Sequence, residues 1–181
     1  GIVQQEETFL SGLFQDLGML AMNQTLGDEY SELLLKANGD HHELLRLERQ
    51  HLQTDHAELG GALAESWHLP PLRVEPIRHH ETPDDVDEEA CPLTRCVAVG
   101  NLVADLFMSD RPGDALDGYY KRCEEWFSLD PGQAEPFLKT FHQQTNEMRR
   151  LFDLPTGELG NPDEILARAS DALMQVTLQA A

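Results

Sequence analysis

Apolar residues recur along this chain at the three- and four-residue spacing of helices almost from end to end. Phe9, Leu10, Leu13, Phe14, Leu17, Leu20 and Ala21 fall at i, i+3 and i+4, which predicts one core-facing helix. Gly27-Asp28 closes it. Tyr30, Leu33, Leu34 and Ala37 mark a second helix, stopped by Asn38-Gly39. Asp40-His41-His42-Glu43 reads as a capping box opening a third, with Leu44, Leu45, Leu47 and Leu52 inside it. Asp55-His56-Ala57-Glu58 repeats the device ahead of Leu59, Leu63 and Trp67. Pro70-Pro71 breaks the chain and starts a short helix through Val74 and Ile77 to His79-His80.

The acidic, proline-containing stretch 81–88 predicts a surface loop, and a long helix follows over residues 90–108. Arg111-Pro112-Gly113 ends that region. Asp130-Pro131-Gly132-Gln133 combines an N-cap, a proline at N1 and a glutamine at N3. Asn161-Pro162-Asp163-Glu164 opens a last helix in the same way. Phe137, Phe141, Gln144 and Met148 share one helical face, and Ile165, Ala169, Ala172, Leu173 and Val176 form a stripe. Tyr119, Tyr120, Trp126, Phe127 and Phe152, with the two phenylalanines, read as core. No segment alternates with period two over a useful length, so the expected fold class is all-α.

Composition narrows the picture. The chain has 181 residues, 40% of them hydrophobic, which suits one domain with a proper core, or a domain plus a helical extension. No apolar run approaches the roughly 20 residues of a membrane helix, and no signal-peptide pattern is present. Thirty-three acidic against thirteen basic residues give a net charge of −20. Phosphate backbones and anionic lipids would repel such a chain, so neither nucleic acid nor membrane is an expected partner. Cys91, Cys96 and Cys123 are odd in number and lack zinc-knuckle spacing, which fits a reducing, cytoplasmic setting.

The candidate chemistry lies in Asp16, His56, His79, His80 and Asp105. Each falls on or beside an apolar face, where an ionisable group costs several kcal/mol unless it is paired, hydrogen-bonded or metal-bound. Carboxylates with imidazoles are a ligand set for Fe, Mn or Zn. Asp16 follows Leu13 by three residues and precedes Leu20 by four, so it shares their stripe. His56 takes the first helical position after Asp55, where the helix dipole favours a neutral ring. His79 and His80 cannot share a face, so one can ligate while the other caps or meets solvent. Asp105 continues a stripe of Ala98, Asn101 and Leu102. His41-His42 sits on a polar turn and reads as solvated surface. A satisfied structural group is the commoner outcome for any one of these residues; the set is what points to a site.

The segment Phe9-Leu10-Ser11-Gly12-Leu13-Phe14-Gln15-Asp16-Leu17-Gly18 resembles the "FLAGLLHDIG" signature of the HD metal-phosphohydrolase superfamily. Thr54-Asp55-His56-Ala57-Glu58-Leu59-Gly60 resembles its "HxxxG" helix start, and Ile77-Arg78-His79-His80-Glu81 its "HHE" segment. Asn101-Leu102-Val103-Ala104-Asp105 resembles its late "VADL" helix, and Ser109-Asp110-Arg111-Pro112 is similar to the residues after that aspartate in HD-GYP proteins. Order and spacing fit the HDOD branch, the HD-related output domain of bacteria, over residues 5–112. The resemblance implies an HD-like helical bundle, with 1–112 as the C-terminal half of an HDOD domain. It leaves 113–181 as helices that pack on the core or lead to an output domain such as a GGDEF cyclase.

The departures from the pattern matter more. Gln15 stands where catalytic relatives carry the histidine of the His-Asp pair, and Met19 where HD-GYP enzymes carry a lysine. Pro83-Asp84-Asp85 replaces the Gly-Tyr-Pro motif. The resemblance therefore implies a non-catalytic signalling module acting through a protein partner or a fused domain. The competing expectation is a metal-dependent phosphohydrolase or cyclic-dinucleotide phosphodiesterase using Asp16, His56, His79, His80 and Asp105 as ligands. A third is a sensor that holds a small ligand or a metal without turnover.

Overall fold

The computed structural model describes residues 2–87, 90–108, 111–151 and 161–179. Ten helices run through them: α1 (Ile2–Phe14), α2 (Leu17–Leu26), α3 (Asp28–Ala37), α4 (His41–Leu52), α5 (His56–Ser66), α6 (Pro71–His79), α7 (Cys91–Met108), α8 (Pro112–Phe127), α9 (Pro131–Leu151) and α10 (Pro162–Gln179). No strand occurs among the described residues, and the fold is all-α as the periodicity requires. None of the helices is long and apolar enough to cross a membrane. The chain forms two compact units, Gly1–Gly100 and Asn101–Ala181, which divide within α7.

In the first unit α2, α3 and α4 close around Met22, Tyr30, Leu33, Ala37, Leu44 and Leu47. Each fully buried aliphatic side chain of this kind contributes about 1.5–3 kcal/mol. A smaller cluster of Ala64, Val74 and Ile77 joins α5 to α6. The stop signals act as read: Asn38 ends α3 in the left-handed region at φ 49°. Gly27 takes φ 56° with ψ −118°, a combination reserved in practice for glycine, and it turns α2 into α3. Asp40 and Asp55 cap α4 and α5 by accepting from the backbone N–H of Glu43 and Glu58.

The single helix expected over Phe9–Ala21 is two. The chain breaks at Gln15-Asp16, and Asp16 becomes the N-terminal flank of α2. Leu13 and Leu20 are consequently 64% and 69% exposed, and α2 buries Gly18 and Met22 instead. The cause is backbone proximity. A Cβ on Gly18 would lie 1.9 Å from the His56 carbonyl oxygen, so α2 must rotate this glycine onto α5. Trp67 also leaves the expected stripe. It is the C-cap of α5 and exposed, and the buried row ends at Ala64.

In the second unit α8 packs against α9 and α10. Pro112 does more than close α7, because it is the first residue of α8. Asp130 and Gln133 make a full reciprocal capping box at the head of α9, with both bonds 3.0 Å. The buried row of α9 is Ala134, Leu138 and His142, one residue away from the expected face. Phe137 and Phe141 are therefore 58% and 40% exposed rather than core. Leu166 and Ala169 are buried in α10. Phe152, Glu88, Ser109, Asp110 and the side chain of Val176 lie outside the described residues.

Candidate metal centre

Four element ends of the first unit meet at one point. Asp16 stands in the turn before α2, His41 at the first position of α4, His56 at the first position of α5, and His80 just after α6. Ligand atoms from these four residues lie within 4.8 Å of one another. Gly18 and Gly60 make the arrangement possible, since a Cβ on Gly60 would lie 3.3 Å from the Gly18 nitrogen. The two glycines bring the α2 backbone onto α5 and carry Asp16 toward His56.

The two innermost rings are preset as ligands. Glu48 is wholly buried and pairs with His56 Nδ1 at 2.7 Å. It also accepts the His56 backbone N–H at 3.1 Å and the Tyr30 hydroxyl. With Nδ1–H donated to a carboxylate, the His56 lone pair sits on Nε2, the carboxylate–histidine arrangement found behind many metal ligands. Burial, and next the hydrogen bond to Glu48, push the Tyr30 phenol far above its ordinary pKa, so it remains a donor. His80 Nδ1 lies 2.8 Å from the Ile77 carbonyl, to which it donates, and this leaves the His80 lone pair on Nε2 as well. Burial holds the His80 ring below the usual imidazole pKa despite the pull of Glu81, and keeps it neutral.

Both Nε2 atoms face Asp16 Oδ1 at 3.8 Å. All three atoms are buried and none has a hydrogen-bond partner among the described residues, although Glu81 Oε1 stands 3.5 Å from His80 Nε2. Such orphaned groups are rare and costly. Two atoms each about 2.1 Å from a shared ion stand no more than about 4.2 Å apart, so the 3.8 Å separations suit a common metal. The other Asp16 oxygen is turned away and accepts from Gln15 Nε2 at 3.2 Å. His41 Nε2 pairs with Glu81 at 2.7 Å, and the His41 ring meets His56 edge-on with centroids 4.9 Å apart. Burial pushes the Glu81 carboxyl up, but the His41 bond and the charges of neighbouring rings outweigh it and hold the pKa below the usual range. The donor set therefore fits a divalent transition metal.

Asp16, His56 and His80 are thus brought together. His79 is not: its ring turns to Glu75 at 3.4 Å and Thr82 at 3.3 Å. Asp105 lies in the second unit, where it is half-buried. His41 is a correction. It is no solvated surface residue, because its place three and four residues before Leu44 and Leu45 turns it inward. His42 is exposed as expected. Glu48 was legible by the same rule, being four residues from both Leu44 and Leu52. Asp16 reached the cluster for a different reason from the one its spacing suggested, namely the break before α2.

Residues 1–83 match the HDOD domain, a signalling-associated domain of the HD superfamily. An uncharacterized protein of Treponema pallidum is 29% identical over 119 residues, covering 61% of this chain. The chain spans about a fifth of that relative's length, 21%. No solved structure matches.

Proposed function

We infer, from the match of residues 1–83 to the HDOD domain, that this chain is a non-catalytic regulatory module of bacterial signal transduction. It works in the cytoplasm through contacts with a protein partner or a fused signalling domain. Gln15 carries the reading. Catalytic relatives in the HD superfamily are expected to place an imidazole beside the aspartate, and this chain places an amide there. Gln15 Nε2 is spent on Asp16 Oδ2, and an amide offers neither a proton-transfer group near neutral pH nor a good metal donor. Asp16, His56 and His80 keep a place for an ion, which would supply Lewis acidity. Without a base beside it, their role is to hold the ion and the helix ends in one arrangement.

The test is hydrolysis. The full chain is incubated with Mn, Fe(II) or Zn and with cyclic-di-GMP or bis(p-nitrophenyl) phosphate. The expected rate equals that of the metal ion alone. Sustained turnover that disappears in Asp16→Asn would replace this reading with the phosphodiesterase one.

A further inference from the structure

We propose that His41 is the fourth ligand of a single zinc-type divalent ion, supplying from α4 the imidazole that Gln15 withholds, and that the ion staples four element ends together. This goes beyond the regulatory reading, because it stands or falls on metal binding and not on turnover.

Three observations support it. The first is the donor count. Asp16, His41, His56 and His80 give three imidazoles and one carboxylate with their ligand atoms inside 4.8 Å. Four protein ligands close a tetrahedral site, whereas catalytic zinc keeps a position open. An imidazole-rich set selects Zn, Co, Ni or Fe and discriminates against Mg and Ca. The second is preorganisation. His56 and His80 already have Nδ1 engaged by Glu48 and by the Ile77 carbonyl, with Nε2 buried and lacking a hydrogen bond. Glu81 Oε1 pairs with His41 Nε2 at 2.7 Å and stands 3.5 Å from His80 Nε2, and the His41 ring meets His56 edge-on, so these rings are already gathered at one point.

The third is topology. α4 packs on α3, while His56 and His80 belong to the packed pair α5 and α6. Polar links join α4 to α5, Glu48 to His56 and Arg49 to Asp55 at 2.8 Å, beside Leu59, which packs on the α2–α4 cluster. An ion ligated by His41 adds a bond of a different strength at that seam. It fixes the start of α4, beyond the apolar packing and hydrogen bonds that already hold the hairpin, to the α2 turn, α5 and the end of α6 simultaneously. Metal occupancy thereby sets how firmly the α3–α4 hairpin is held, which is a means of regulation that needs no reaction.

The experiment uses the full chain, stripped with chelator and titrated with Zn(II) and Co(II) against a chromophoric competitor. We expect one ion per chain, an intense visible Co(II) spectrum of the tetrahedral kind, and no competition from Mg(II) or Ca(II). His41→Ala should weaken zinc binding at least about 100-fold, more than loss of an outer-shell partner does, with helical circular dichroism retained. His79→Ala should bind as the native chain does. Hydrogen exchange at the start of α4 should slow on zinc addition in the native chain and not in His41→Ala. Native affinity in a folded His41→Ala, or no zinc bound by the native chain at micromolar concentration, overturns the proposal. Should His41→Ala fail to fold, a weak octahedral Co(II) spectrum from the native chain overturns it equally.

Discussion

The two units bury their polar groups very differently. The first unit hides Ser11, Glu48, Asp55, His56, His80 and Thr94, while the second hides His142 alone among the described residues. The second unit is explained by packing: Leu116, Tyr119, Leu138, Leu166 and Ala169 are buried, and Gly113 lets α8 approach α10. Apolar packing holds the first as well but does not explain its buried polar groups. Glu48 and His56 are both completely inaccessible and bonded to each other, and an apolar pair of similar volume would commonly be as stable or more so. Retaining three inward-facing donor atoms without hydrogen bonds costs stability. An ion bound there would offset that cost.

Mutations should separate the two regimes. The largest effect is expected for Glu48→Ala, which strands the Tyr30 hydroxyl and two His56 donors. It should destabilise by about 3–5 kcal/mol in urea melts and abolish zinc binding. Leu138→Ala in the second unit should cost about 2–4 kcal/mol through the cavity it leaves, with zinc affinity untouched. Equal loss of zinc affinity in both variants would erase the contrast between the units. Glu48→Gln is milder: about 1–2 kcal/mol, with zinc affinity down about 10- to 100-fold by titration.

Acidification gives a smaller effect with a fixed sign. The folded pKa of His80 is depressed by burial, so the unfolded chain binds the proton more tightly. Glu81 is also held below its unfolded value. Both groups therefore contribute stability that is lost as pH falls, His80 from about pH 6.5 downward and Glu81 below about pH 4.5. Melting of the metal-free chain at pH 7 and pH 5.5 should show the decline, and His80→Gln should flatten its upper part. The smallest effect belongs to His79→Ala, about 0.5 kcal/mol or less, because that ring pairs with Glu75 and Thr82 near the surface.

Much of the fold was legible, and the reasons are local. Asp40, Asp55 and Asp130 cap where their side chains reach the next turn's N–H, and Asn38 and Gly27 turn where their backbones permit it. The failures are tertiary. Leu13 and Leu20 keep perfect helical spacing with Asp16, but contact between Gly18 and the His56 carbonyl breaks that helix. Spacing alone cannot register a contact between residues 38 positions apart. Phe137 and Phe141 share a helical face and were read as core, yet Ala134 and Leu138 take the buried row. In the site, the inward turn of His56 followed from register, while register said of His79 and His80 only that they cannot share a face. His41 was passed over because a capping turn looks polar, even though Leu44 and Leu45 placed it on the apolar side.

The most direct measurement is an anomalous difference map at the zinc edge from crystals of the zinc-loaded full chain. The account predicts one peak bounded by Asp16, His41, His56 and His80, with all four coordination positions filled by protein. A peak that leaves His41 aside and keeps an open position, or a pair of peaks a few ångströms apart, would mark a reaction centre and contradict it.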